Sequence, residues 1–133
     1  MKDNSDDAIK KKEIEIIETK NILMIIAIII LLGAIYFNKN AIKEIIGEKT
    51  KHSDDFVQGA GIVLDVAALI VILISLYVAY EEYLLNETEE LDLTGSTAKI
   101  IAWIVAIIPA AIFLYVTIKF PDEDAATGIE PLV

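Results

Sequence analysis

The chain has no cysteine and no arginine, and His52 is its only histidine. Without cysteine there are no disulfides, thiolate metal sites, iron–sulfur clusters or cysteine nucleophiles. One imidazole per copy excludes a bis-histidine haem or a multi-histidine metal centre within a single chain. Without arginine there is no bidentate fork for phosphate or carboxylate. All 11 cations are lysines, set against 21 acids, for a net charge of −10. That balance opposes nucleic-acid binding and general docking on anionic headgroups. The inventory predicts neither a metal nor a cofactor.

What the chain has in abundance is apolar length. Hydrophobic residues make up 56% of the 133, and they collect in three runs at 22–37, 62–80 and 100–118. At about 1.5 Å per residue, a 19-residue helix is about 28 Å long, close to the hydrocarbon thickness of a bilayer. None of the runs alternates as a barrel strand does, so helices are the only way to satisfy their backbone in lipid. The fold class predicted is all-α: an integral protein of the cell membrane, multi-pass, with three transmembrane helices. The first run is no convincing signal peptide, because its leader is long and acidic and no small-x-small site follows Phe37. The 26 isoleucines against 13 leucines, with lysine and no arginine, fit an AT-biased prokaryotic genome.

The segments follow from these runs. Residues 1–20 form a charged extension, expected to be helical, ahead of a first span at 21–38. Residues 39–55 are read as a loop holding a short interfacial helix. In it Asn40 is the N-cap, Ile42, Ile45 and Ile46 share one side, and Gly47 is the stop. Span 2 covers 56–80, with a helical extension to about 91 that gains Glu81, Glu82, Glu87, Glu89 and Glu90. A turn at 92–97 precedes span 3 at 98–120, and 121–133 is an acidic tail. Asn86, Glu87 and Thr88 match a glycosylation sequon, a pattern short enough to arise by chance. Orientation stays open, because one side holds six lysines and the other five.

Asp65 is the one ionisable residue inside a run. At 100° per residue, Gly61, Asp65, Ala68, Ile72, Ser75 and Ala79 fall on one stripe about 80° wide. Five of the six are small or polar, while Val63, Val66, Ile70, Leu73 and Ile74 form a greasy opposite face. Asp65 should therefore meet another helix or a polar cavity. It is read as a hydrogen-bonded carboxylate at a helix contact, as a proton or cation site, or as a residue reaching the interface. Alternating helix direction makes Tyr36, Lys39, Tyr115, Thr117 and Lys119 its available partners. Span 3 repeats the small-residue pattern, with Ala98, Ala102, Ala106 and Pro109 on one face. Pro109 frees the carbonyl of Val105, so a kink is expected there.

No nucleophile, base and orienting group can be assembled, and His52 reads as a solvated loop residue. The sequence therefore points to a non-catalytic accessory subunit of a larger membrane complex. It is of the respiratory or membrane-oxygenase type by analogy, with other membrane subunits and the lipid bilayer as partners. The competing reading is a small homo-oligomeric transporter or channel using Asp65.

Overall fold

The computed structural model describes residues 2–47 and 54–120, and among these every regular element is an α-helix. The helices are α1 (Lys2–Ile45), α2 (Asp54–Thr88) and α3 (Thr94–Lys119). Each is long and apolar enough to cross a membrane. His52, Ser53 and the acidic tail lie outside the described residues.

The helices outrun the hydrocarbon by different amounts. α1 has 44 residues and is about 66 Å long at 1.5 Å per residue. α2, with 35 residues, is about 52 Å long. α3, with 26, is about 39 Å long. The polar lengths of α1 and α2 pack side by side beyond the end of the apolar runs.

No proline or glycine interrupts the chain between Gly33 and Gly47, so α1 does not stop where the first apolar run does. Asn40 stands inside it, buried at 7% exposure, and not at a cap. The separate short helix expected in loop 1 is not seen, since residues 40–45 are the last turns of α1. The stop itself comes at Gly47, whose φ of 79° is the left-handed conformation that glycine adopts without strain. Its N–H donates to the Glu44 carbonyl at 3.1 Å.

The break between α2 and α3 falls at residues 89–93, ahead of Thr94, Gly95 and Ser96, which form the first turn of α3. The α2 end is a Schellman closure: Leu91 N–H donates to the Asn86 carbonyl at 2.9 Å, and Glu90 N–H to Glu87 at 3.1 Å. Glu90 occupies the left-handed position (φ 59°) that glycine usually fills. Asp92 then takes the first free N–H of α3, accepting from Thr94 N at 3.0 Å and Thr94 Oγ1 at 2.8 Å. Donation from the Thr94 backbone, then from its hydroxyl, holds the Asp92 carboxyl below its ordinary value.

α2 is the central element. Among the described residues, α1 and α3 each pack against α2 and their backbones do not approach one another. On α1 the buried positions Ile16, Leu23 and Ile30 recur every seven residues, as in a coiled-coil seam. Ile30 and Ala34 meet Ala68, with Leu64 and Val71 alongside. Ile16 and Leu23 meet Val78. Gly33 permits the close approach of α1 to α2 beside the first of these clusters, since a Cβ built on it would stand 3.2 Å from a Leu64 methyl. Elsewhere the outside is apolar: Ile25, Ile29, Val63, Ile70, Ile104 and Ile108 are among many large side chains that stay exposed. Such a surface is stable against lipid and not against water.

Candidate functional site

The stripe predicted on α2 is the buried face of that helix. Gly61, Asp65, Ala68, Ile72, Ser75 and Ala79 are all buried, and Val63, Val66, Ile70, Leu73 and Ile74 all point outward. The stripe is shared lengthwise, with Ala68 packing against α1 and Gly61 and Asp65 facing α3.

Asp65 is 2% exposed and lies against Thr117 of α3. Thr117 Oγ1 donates to Asp65 Oδ2 at 2.7 Å and also lies 3.0 Å from its own helix's Phe113 carbonyl. Gln58, two turns before Asp65 on the same face of α2, donates from Nε2 to the Thr117 carbonyl at 3.4 Å. Gly61 lies between them: a Cβ there would sit 3.5 Å from the Thr117 methyl, so α3 approaches closely where α2 has no side chain. Thr117 stands two residues, about 3 Å of helix rise, before Lys119. Asp65 is therefore held near one end of the apolar slab and not at its middle.

The other candidate partners are placed differently. Tyr36 is half-exposed, its ring edge-on to Phe37 at 5.2 Å. Tyr115 is exposed and meets Phe120 edge-on at 6.2 Å. Lys39 and Lys119 are exposed. On α3, Ala106 and Pro109 are half-buried, whereas Ala98 and Ala102 are exposed, outside the contact with α2. The positions of α3 that turn to α2 are Ser96, Trp103, Ala110 and Thr117, again at seven-residue spacing. The helix runs unbroken through Pro109.

At the opposite end the three helices are tied by charge. Glu82 of α2 receives Lys20 of α1 on one side and Lys99 of α3 on the other, the latter at 3.3 Å. Burial pushes the Glu82 carboxyl up, but the two ammonium groups outweigh it, and the net displacement is downward. Its neighbour Glu81 pairs with Lys12 at 3.0 Å. Hydrogen bonds from Tyr77 and then Lys12 hold Glu81 below its ordinary value, and Lys12 is raised in return, chiefly by the hydrogen bond to Glu81. Asn86 Nδ2 donates to Ser96 Oγ at 2.6 Å, closing the α2–α3 corner and engaging the sequon's amide.

Composition treats these acids as a solvated helix end. Topology alone holds the signal: Lys20, Glu82 and Lys99 each flank an apolar run, and alternating helices bring all three flanks to one level.

Beneath this charged node lies an open groove of about 450 Å³, in the gap that α1 and α3 leave over α2. Its walls include Leu23 and Ala27 of α1, Trp103 of α3, and Val71, Ser75 and Ala79 of α2. Asp65 does not line it. The arrangement has the means to hold an elongated apolar partner under a ring of two cations and one anion.

No protein-family model matches the chain, and no curated protein or solved structure matches it either.

Proposed function

We propose that this protein is a non-catalytic accessory subunit of a larger complex in a prokaryotic cell membrane, in which its three helices span the bilayer. It braces a neighbouring subunit by seating one of that subunit's transmembrane helices in the groove between α1 and α3. The observation that carries this reading is the incomplete bundle: α1 and α3 pack on α2 only, and the gap between them stays open over Val71, Ser75 and Ala79.

Small residues support the choice of a helix as occupant. Helices gain packing energy in lipid by close backbone approach, because lipid supplies no hydrophobic drive. Ala27, Ser75 and Ala79 line the gap, and Ala98 and Ala102 of α3 carry small side chains that contact with α2 does not use. Residues 40–47, at the other end of α1, lie at the membrane surface in this arrangement.

The transporter reading would use Asp65 as a proton or cation carrier. The carboxylate is instead enclosed between two helices and hydrogen-bonded by Thr117, away from the groove. That placement suits a fastener of α3 to α2.

Purification of the native protein in mild detergent tests the proposal. Different polypeptides should co-purify in fixed proportion. A homogeneous homo-oligomer, with saturable flux in liposomes abolished by Asp65→Asn, would replace the accessory reading with the transporter.

A further inference from the structure

Ser75 is a polar side chain set into the apolar floor of the groove between α1 and α3, flanked along α2 by Val71 and Ala79. It is 9% exposed, and what remains open of it lines the groove. Thr19 and Thr88 each donate their hydroxyl to the carbonyl four residues back in the same helix, at 2.8 and 2.9 Å. Among the described residues, Ser75 Oγ makes no hydrogen bond, nor is the oxygen sealed off as Asn40 Nδ2 is. A hydroxyl at this depth needs a partner, and lipid tails offer none.

The rim of the groove is unbalanced in charge. Lys20 and Lys99 meet the single carboxylate of Glu82, while the next pair outward, Lys12 and Glu81, neutralise one another. The Lys99 side chain is 58% exposed, so its ammonium is within reach of a further anion. Ser75 and Glu82 are seven residues apart on α2, two turns and about 10 Å of rise. On any helix lying along the groove, the same interval returns to the same face. We propose that the seated helix presents an asparagine or glutamine amide to Ser75 and, seven residues away on the same face, a carboxylate to Lys99. An amide suits because, like the hydroxyl, it both donates and accepts. The carboxylate brings the rim to two cations and two anions. This inference rests on the accessory-subunit reading and specifies the partner which that reading leaves open.

The test uses the full chain in phosphatidylcholine vesicles. Trp103, the only tryptophan, lines the groove and serves as fluorescence donor. The probe is a synthetic tryptophan-free leucine–alanine transmembrane helix. It carries an asparagine on its alanine face, a glutamate seven residues on, and a dansyl acceptor beside the glutamate. Control helices replace the asparagine by alanine or the glutamate by glutamine. The complete helix should bind roughly threefold to tenfold tighter than the helix without asparagine. Ser75→Ala should remove that advantage and leave the asparagine-free helix unaffected, which a merely space-filling serine would not do. Lys99→Gln should weaken only helices that carry the glutamate, by roughly twofold to fivefold. If all the helices bind alike, or Ser75→Ala weakens them equally, the proposal is overturned while the groove remains a helix seat. If none of them transfers energy from Trp103, the seat itself is refuted and this inference with it. A homo-oligomer whose formation excludes every probe would assign the groove to a second copy and overturn both.

Discussion

The two ends of α2 hold acids in opposite ways. Asp65 is enclosed and accepts a hydrogen bond from the Thr117 hydroxyl. Glu81 and Glu82 sit at the other end and are met by Lys12, Lys20 and Lys99. Reach explains the difference. A lysine beside a glutamate at the end of an apolar run keeps its head in water while its stem covers apolar surface. An aspartate one turn inside the slab has a short stem, so its partner must stand on the facing helix at the same height. A threonine fits, because its hydroxyl costs little to bury when it also serves its own helix. One end is thereby fixed by geometry and the other by charge, and they should respond differently to mutation, salt and pH.

The largest effect is expected from Asp65→Lys, which puts a bulky cation into the buried contact with Thr117. It should cost about 3 kcal/mol or more, read as a lower midpoint in a denaturing-detergent titration of helix content. Asp65→Asn keeps size and an acceptor for Thr117 and should fold nearly as well as the parent. If the two variants behave alike, the contact between α2 and α3 is not what Asp65 provides.

Next comes Gly33→Ile, which forces a side chain against Leu64 where only 3.2 Å is available to a first carbon. Overpacking of this kind costs about 1–3 kcal/mol, and it should loosen α1 while leaving α2 and α3 paired. Spin labels on α1 and α2 would report the separation. Thr117→Val tests the geometric end more gently. It preserves shape, removes the donor to Asp65 and should cost about 1–3 kcal/mol.

The charged end should give smaller, condition-dependent effects. Glu82→Gln removes the shared anion and should cost on the order of 1 kcal/mol, less in high salt. Glu81 and Glu82 are both held below their ordinary carboxyl value in the folded chain. Their contribution is therefore complete above the unfolded value of about 4.3 and is lost as pH falls through the lower folded values. Acidification should destabilise this end first, read by hydrogen exchange at residues 81–88, and Glu82→Gln should flatten that response.

How legible was this in the sequence? The facing of α2 was, because a 100° spacing needs only residue size and polarity to separate the Gly61–Asp65–Ala68 side from the Val63–Val66–Ile70 side. Thr117 was among several partners for Asp65, and only the register of α3 singles it out. On α3 the small-residue rule marks where backbones are able to approach, not which helix does so. It selects Ala98 and Ala102, whereas contact with α2 runs through Ser96, Trp103, Ala110 and Thr117, two of which are held by hydrogen bonds. Asn40 misled because asparagine caps helices more often than it interrupts them, and no glycine or proline stood nearby to stop α1. The Lys20–Glu82–Lys99 node was invisible to composition, since it depends on three flanks meeting at one height.

If the groove between α1 and α3 seats a helix from another subunit, as proposed, a reactive group placed inside it should find that subunit. The chain has no cysteine, so a single introduced thiol marks one place unambiguously. Photo-crosslinking in native membranes from Ala27→Cys, inside the groove, should be compared with Ile70→Cys on the exposed face of α2. One discrete adduct is expected from Ala27→Cys, identified by mass spectrometry as a different membrane polypeptide, with none from Ile70→Cys. Adducts from Ala27→Cys to lipid alone, or only to a second copy of this chain, would contradict it.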